Sequence, residues 1–427
     1  MKALIITYYW PPAGGSGVQR WLKFVKYLQE FGVEAIVYTV ENPKYPIEDF
    51  SLKNEVSKNT IVLKQPIWEP NTMFSFLKKN KKQSAGFLNP KPSLFGKILQ
   101  YIRANYFIPD ARKFWIQPSV TFLKNYLAKN KVDVIITTGP PHSVHLIGLA
   151  LKKQLHIKWI SDFRDPWTNI DYFHQLPLTN KSKKIHQKLE QEVLLNSDAV
   201  LVVGETMKEN YLKFSNTIHV VTNGFDSDIL AKTSSITLDK QFTITHIGLM
   251  NADRNPTILW KVLAEISSES NDFKNDVEIK LIGKVANEVL ETLKNHSLNT
   301  NVIDYIPHTE VKKHQQKSQV LLLVVNNVPS AKGILTGKIF EYLQAKRSIL
   351  AIGPEDGDLA KIIHQTNSGT ITDFNDAVTL KKTILALYTN YKKGITSVSS
   401  KNIEQYHARN LTKKVAEIIK EIIHYES

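Results

Sequence analysis

The chain has 427 residues, which is too many for one ordinary hydrophobic core and enough for two domains of about 200 residues each. Its 42% of hydrophobic residues and 22% of charged residues are typical of a globular protein, and the lack of Cys excludes disulfides and thiolate metal sites. The net charge of +15 is concentrated in residues 51–131, where 15 basic residues outnumber three acidic ones. Such a segment attracts an anionic partner, either nucleic acid or an anionic membrane surface.

Short apolar runs alternate with amphipathic stretches from the start of the chain. The opening run, residues 3–7, is too short for a secretory signal or a membrane span, so we predict a buried first strand and a cytoplasmic protein. Further β-rich runs follow at residues 34–39, 60–63, 133–137, 158–161 and 199–203. Helical spacing of apolar residues separates several of them, as in residues 18–31. This alternation predicts a parallel sheet covered by helices on both faces.

A second series of strands begins after a polar stretch at residues 226–241. Its β-rich runs are residues 243–247, 278–282, 301–305, 320–325 and 348–352. We therefore predict an α/β protein with two Rossmann-like, doubly wound domains that face each other across a cleft. The predicted boundaries are an N-terminal domain at 1–225, a C-terminal domain at 226–410, and a C-terminal helix at 411–427. The pattern of that helix is compatible with packing on either domain, including back on the N-terminal one.

The loop between the first strand and the first helix is rich in glycine. Gly14, Gly15 and Gly17 lie where backbone N–H groups approach a ligand closely and where the helix begins. Their spacing is not that of a dinucleotide-binding fingerprint. A ligand-binding loop and a plain tight turn are both compatible with this pattern.

Two later clusters suggest contacts with an acceptor and with a membrane. Lys78, Lys79, Lys81 and Lys82 precede an apolar and aromatic segment at residues 94–107, a combination typical of a membrane interface or of a solvated basic face. Asp162, Arg164 and Asp165 follow a predicted strand. They are suited to binding acceptor hydroxyls or to forming an internal salt bridge.

Residues 336–343 begin a predicted helix that has the features of a phosphate site. The N–H groups of Gly337 and Lys338 would point at a phosphate from the first turn. Glu341 follows about one turn later, where a carboxylate can accept hydrogen bonds from both hydroxyls of a ribose.

Several segments together resemble the retaining family-4 glycosyltransferases of the GT-B fold. They are residues 9–15, 221–226, 245–248, 254–256 and 337–353. The resemblance covers essentially the whole chain. It implies that Gly248 contacts the donor, and that Arg254 and the N–H groups of Gly337 and Lys338 bind its diphosphate. It also implies that Glu341 binds the ribose.

The same resemblance implies two roles in the N-terminal half and shows two departures. Gly15 would lie against the phosphate or the acceptor, and His142 corresponds loosely to a cleft histidine of the family. The first of the family's two glutamates is replaced by Gly333, beside which Lys332 is a candidate for contacting the sugar or phosphate. The lysine that usually follows a few residues after the family's arginine is missing after Arg254.

We therefore expect transfer of a hexose-type sugar from a UDP-, GDP- or dTDP-sugar to a lipid-linked or polysaccharide acceptor in cell-surface glycan synthesis. His142, Lys332 and Glu341 are the catalytic candidates, and retention follows from the resemblance. We expect no cofactor or metal, no nucleic acid partner, and a peripheral position on the inner face of the membrane. A nucleotide-sugar epimerase and a catalytically weakened nucleotide-sugar-binding protein are the alternatives.

Overall fold

A computed structural model of the chain describes residues 1–69, 94–226, 237–304, 306–395 and 397–424. The chain forms two compact units. The first comprises Met1–Asn223 together with the chain from Ala408 onwards, and the second comprises Gly224–His407. The chain thus leaves the first unit once, builds the second, and returns to the first.

The first unit is built on parallel strands, of which the five inner ones are buried along most of their length and the two edge strands are not. The strands are β1 (Lys2–Thr7), β2 (Glu34–Val40), β3 (Ile61–Gln65), β4 (Val134–Gly139), β5 (Lys158–Phe163), β6 (Ala199–Val202) and β7 (Ile218–Val220). Among the described residues they form a seven-stranded sheet in the order β3-β2-β1-β4-β5-β6-β7. Because the order reverses between β1 and β4, the sheet is doubly wound.

Helices cover both faces of this sheet. The helices of this part of the chain are α1 (Ser16–Leu28), α2 (Leu94–Tyr106), α3 (Ile116–Leu127), α4 (Ser143–Leu155), α5 (Asn180–Asn196) and α6 (Glu205–Tyr211). Of these, α2 has no buried residue. Alternate residues of β1 enter different cores, since Ala3 and Ile5 pack with α1 whereas Leu4 and Ile6 pack with α3 and α4. This two-sided burial explains why the strands are continuous apolar runs.

The second unit repeats the same design. Its strands are β8 (Phe242–Ile247), β9 (Val277–Ile282), β10 (Thr300–Ile303), β11 (Val320–Val324), β12 (Ser348–Ile352) and β13 (Gly369–Thr372). In the part of the chain that is described, they form a six-stranded parallel sheet in the order β10-β9-β8-β11-β12-β13. Its helices are α7 (Thr257–Glu269), α8 (Asn271–Asp276), α9 (Asn287–Asn295), α10 (His308–Lys317), α11 (Lys338–Ala345), α12 (Asp358–Thr366) and α13 (Ala377–Lys392).

The last helix, α14 (Ala408–His424), belongs to the first unit. Leu411, Val415 and Ile419 on one of its faces are buried in the same core as Trp21 and Leu22 of α1. The hydrophobic pattern of the last residues is therefore satisfied by a helix from the opposite end of the chain.

The predicted fold class of two doubly wound α/β units is confirmed. The structure adds two edge strands, β7 and β13, that the sequence did not predict, since runs of three and four residues carry too little periodicity. Strand boundaries differ from prediction by one or two residues at most ends.

Candidate functional site

The glycine-rich loop after β1 is braced by backbone contacts and ends at the start of α1. The Gly14 N–H donates to the Ile47 carbonyl over 2.9 Å, and a side chain at Gly14 would collide with Ile47. Gly15 is exposed, adopts a φ of +84°, and directly precedes α1, whose first turn has no side-chain cap. The loop therefore leaves backbone donors at a helix N-terminus, as the sequence predicted, and a positive φ that favours glycine.

Arg164 ties this loop to the end of β4. Its guanidinium donates to three carbonyls, those of Gly17, Gly139 and Pro140, and the side chain is buried. All of these contacts are made within the first unit. Arg164 thus holds two neighbouring loops at the carboxyl edge of the sheet and presents little surface to an acceptor.

Asp162 is fully buried at the end of β5, and both of its carboxylate oxygens accept hydrogen bonds from within the unit. Arg20 donates from Nη2 to Oδ1 over 2.9 Å and from Nε to Oδ2 over 3.2 Å. Trp21 Nε1 and Thr138 Oγ1 donate to Oδ2 over 2.6 and 2.8 Å. Burial by itself would raise the pKa of Asp162, but the Arg20 charge and these hydrogen bonds hold it below its usual value. This arrangement fits the alternative left open above, an internal salt bridge.

Asp165 differs from Asp162 and Arg164 because its side chain is exposed. It lies two residues after the end of β5 and one residue after the Arg164 clamp. Of the three predicted acceptor-binding residues, Asp165 is therefore the one placed to contact a ligand directly.

His142 immediately precedes α4 and is only 9% exposed. Its ring stacks on Trp167 with a centroid separation of 4.6 Å and an interplanar angle of 6°. Burial, together with the neighbouring His145 and Arg164, keeps its pKa well below the usual value, so the imidazole is neutral at pH 7. A neutral ring of this kind can hydrogen-bond a sugar hydroxyl but is a weak proton acceptor.

In the second unit, the turn after β8 brings a glycine and a lysine together. Gly248 has a φ of +114°, and a side chain there would come within 2.9 Å of Lys338 Nζ. Lys338 begins α11, and its ammonium lies 3.1 Å from His246 Nε2 at the end of β8. The Lys338 side chain, in addition to its backbone N–H, is therefore part of the predicted site.

Arg254 lies near the same turn. Its Nε donates to Asn326 Oδ1 over 2.6 Å, and Nη1 lies 3.4 Å from the Leu249 carbonyl. Burial lowers the pKa of Lys338, and the positive charge of Arg254 lowers it further. Arg254, Lys338 and Gly248 thus form one positively charged corner at the carboxyl ends of β8 and β11.

The start of α11 supplies the other predicted donor contacts. Gly337 precedes the helix, and a side chain there would meet nothing within 4 Å. Glu341 is half-buried, and its Oε2 accepts a hydrogen bond of 3.1 Å from Gln315 of α10. Gln315 therefore orients the carboxylate that the sequence assigns to the ribose.

Lys332 forms an ion pair with an acidic residue of a neighbouring loop. Its exposed ammonium pairs with the exposed Asp356 carboxylate in the loop after β12. Lys332 thus has an anionic partner of its own, and a contact with sugar or phosphate would replace that pair. In the ranges that the structure describes, no group of three or more His, Asp or Glu side chains is arranged to hold a metal ion.

The predicted membrane-facing lysines at positions 78, 79, 81 and 82 lie outside the described residues. The adjoining α2 is described, and none of its residues is buried. Six of its apolar side chains are 39–81% exposed, namely Leu94, Phe95, Ile98, Tyr101, Ile102 and Tyr106. Nearby, the exposed Trp68 and Phe114 rings pack edge to face at 4.7 Å. None of the helices described is long and apolar enough to cross a bilayer.

Sequence inspection assigned no role to four residues that complete these sites. His246 lies within a segment that carries the family resemblance and Arg20 lies in the helix that follows another, so their contacts could not be read from those segments. Asn326 and Gln315 lie in no recognisable motif. They reach Arg254 and Glu341 only because parallel strands and helices place distant segments side by side.

The chain can now be compared with known proteins. A model of Glycosyltransferase Family 4 matches residues 15–229. No curated protein matches the sequence at a significant level.

Solved structures are similar over nearly the whole chain. They include WaaG, a glycosyltransferase involved in lipopolysaccharide biosynthesis, with 12% identity, a TM-score of 0.56, and coverage of 98% of this chain and 99% of that one. TarM of S. aureus, solved with fondaparinux, alpha-GlcNAc-glycerol and UDP, has 12% identity, a TM-score of 0.54 and 99% coverage of both chains. The UDP-GlcNAc 2-epimerase of Methanocaldococcus jannaschii has 12% identity and a TM-score of 0.50, with 98% and 99% coverage. At these identities the likeness establishes the fold, which is the predicted GT-B architecture.

Proposed function

Because the chain belongs to glycosyltransferase family 4, we propose that it transfers a hexose-type sugar from a UDP-, GDP- or dTDP-sugar to a lipid-linked or polysaccharide acceptor in cell-surface glycan synthesis. That it is a glycosyltransferase follows from the family. We propose, in addition, where the donor binds, what the acceptor is, which anomeric configuration the product has, and which surface binds a membrane.

The observation that carries the donor site is the positively charged corner of the second unit. Arg254 and Lys338 lie at the Gly248 turn, next to the N-terminus of α11. Fixed cations and N–H groups stabilise the charge that develops on a leaving diphosphate, which is how we propose that the sugar–phosphate bond is weakened. Glu341, held by Gln315, would accept hydrogen bonds from the ribose.

We assign supporting roles to residues of the first unit. His142, neutral and stacked on Trp167, would hydrogen-bond a sugar hydroxyl, and Asp165 would contact the acceptor. Gly15 would place backbone donors against the substrate. We propose retention of anomeric configuration on the family resemblance, and we propose that no metal is needed because Arg254 and Lys338 supply the positive charge.

A donor screen tests this function. Binding of UDP-, GDP- and dTDP-sugars would be measured by calorimetry, and the products by NMR, which reports both transfer and anomeric configuration. Arg254→Met should weaken donor binding by about 10- to 150-fold, the range for a lost charged hydrogen bond. The matched control Arg409→Met removes an exposed arginine paired with Glu30 in the first unit and should bind normally. An isomerised donor with no transfer product would instead identify an epimerase, and binding without chemistry a binding protein.

The proposal that the protein binds a membrane depends mainly on α2. This amphipathic helix has no buried residue and leaves six large apolar side chains exposed, and the segment around it carries a large basic surplus. Exposed aromatic rings beside cations, such as Phe114 under the Lys113 ammonium, suit the headgroup region of an anionic bilayer. We propose that this face docks on the inner membrane surface, where a lipid-linked acceptor would be found.

Liposome flotation tests the docking. Changing lysines 78, 79, 81 and 82 together to Gln should weaken binding to anionic vesicles and flatten its dependence on salt. The matched control changes four exposed lysines of α5, at positions 181, 183, 184 and 188, to Gln. Phe95→Ser with Ile98→Ser should also weaken binding. If both test variants bind as tightly as the control, the basic segment serves another partner.

A further inference from the structure

The Lys338 side chain is held in an unusual position for a lysine. It is half-buried and folds back from the first turn of α11 onto the backbone of Gly248, where only a glycine leaves room for it. No ion pair is formed by Lys338 within the described residues, and the polar contact of its ammonium is with His246. Removing water from a cation that has no carboxylate partner costs free energy, and a bound anionic ligand would offset that cost.

The contacts of His246 define its tautomer. The side chain is buried, and Nδ1 lies 3.2 Å from the Leu322 carbonyl oxygen. Nε2 lies 3.4 Å from the Leu249 carbonyl oxygen and 3.1 Å from Lys338 Nζ. Because a carbonyl only accepts and the contact with Leu322 is the shorter of the two carbonyl contacts, we assign the proton to Nδ1, which leaves the Nε2 lone pair facing Lys338 Nζ. His246 therefore accepts a hydrogen bond from Lys338 and fixes its direction.

The charges around this pair are mostly positive. Burial and then the charge of Arg254 lower the pKa of Lys338 to about 7, and Glu341 opposes them. Burial and the charge of Lys338 keep the pKa of His246 well below its usual value, although the contacts with Leu322 and Leu249 raise it. At neutral pH the pair therefore holds its extra proton only part of the time, and an entering anion would favour the charged form.

We propose that the Lys338 ammonium, positioned by His246, provides the second cation of the diphosphate site and that donor binding transfers one proton from solvent to the Lys338 amine. This inference rests on the proposed function and deepens it. Lys338 would take the place of the lysine that is missing after Arg254. The proton adds to the amine lone pair, and no other bond is made or broken.

Calorimetry tests the proton uptake. UDP-glucose, GDP-mannose and dTDP-glucose are suitable probes, because their diphosphate diesters do not titrate between pH 6 and 9. Binding enthalpies at pH 7 in PIPES, HEPES and Tris should show uptake of about 0.5 proton per donor, rising towards one at pH 8. The affinity should fall by about 5-fold between pH 7 and pH 8, because more of the free enzyme must then be protonated.

Variants separate the two residues. Lys338→Met should weaken donor binding by about 10- to 150-fold and abolish the uptake, whereas Lys346→Met, at the exposed end of the same helix, should change neither. His246→Phe should weaken binding and shift the pH profile to lower pH, because the ammonium loses its acceptor. His246→Gln keeps an acceptor and should restore much of the profile, which a purely structural role would not predict.

The outcomes distinguish this inference from the proposed function. Donor binding without buffer-dependent enthalpy, or with an unchanged pH profile in Lys338→Met, would overturn the inference alone. Failure of all three donors to bind would overturn the proposed function and the inference together. In the free protein, the acetylation rate of Lys338 should rise with a midpoint near pH 7, and a midpoint above pH 9 would refute the inference without any ligand.

Discussion

Replacing Asp162 by Asn tests whether this carboxylate supports the fold or binds an acceptor. The Asp162 side chain is 0% exposed and that of Arg20 is 1% exposed. Asn is unable to accept all four hydrogen bonds, and it leaves the Arg20 charge uncompensated inside the protein. Breaking a buried pair by removing one partner costs about 3–5 kcal/mol, so we expect a loss of that size in the free energy of unfolding of the first unit.

Urea denaturation followed by tryptophan fluorescence provides the assay. Six of the seven Trp residues lie in the first unit, so the signal reports mainly on that unit. The double variant Arg20→Met with Asp162→Leu should recover most of the lost stability, because no charge is then left unpaired. Acceptor kinetics at low temperature, where Asp162→Asn remains folded, should be nearly normal.

The pH dependence has a defined sign. The pKa of Asp162 is held below its unfolded value of about 4, so the pair adds stability above that pH and loses it as the pH falls through the folded-state value. The stability curves of the parent and of Asp162→Asn should therefore converge in acid. A loss of less than about 1 kcal/mol at pH 7, joined to a large fall in kcat/KM for the acceptor, would refute the structural role.

Three further predictions concern the donor site and the core. Glu341→Gln should lower kcat/KM for the donor by about 10- to 150-fold through loss of a charged hydrogen bond worth about 1.5–3 kcal/mol, and an unchanged rate would place Glu341 outside the site. Ile419→Ala should destabilise the first unit by about 2–5 kcal/mol in the urea assay, because the side chain is fully buried between α14 and α1. Gly248→Ala combines a φ of +114° with a clash against Lys338, and calorimetry should show donor binding weakened by more than in Ala345→Gly, a change at the far end of α11.

The fold was predictable because its signals are local. Fully buried parallel strands have sequences that are continuous apolar runs. The strands predicted at residues 320–325 and 348–352 therefore differ from β11 and β12 by at most one residue. The short edge strands β7 and β13 carry no comparable run. Their positions depend on pairing with neighbours, which periodicity does not encode.

The site residues were predictable only where several of them lie in one short segment of the sequence. Gly337, Lys338 and Glu341 are close in sequence, and the helix start fixes their geometry. A carboxylate at the end of a strand, by contrast, can face solvent or the interior, and the partner that decides for Asp162 lies 142 residues away at Arg20. The same limit applies to His246, whose contact with Lys338 spans 92 residues.

Because the chain returns to its first unit, the core of that unit is completed only late in synthesis. Helix α14 completes the core around Trp21 and Leu22, yet it is made only after the whole second unit. At about 5–20 residues per second, the ribosome needs about 10–40 s to extend the chain from Asn223 to His424, the last residue of α14. During that interval the apolar face of α1 lacks its covering helix, so we expect the nascent first unit to bind a chaperone.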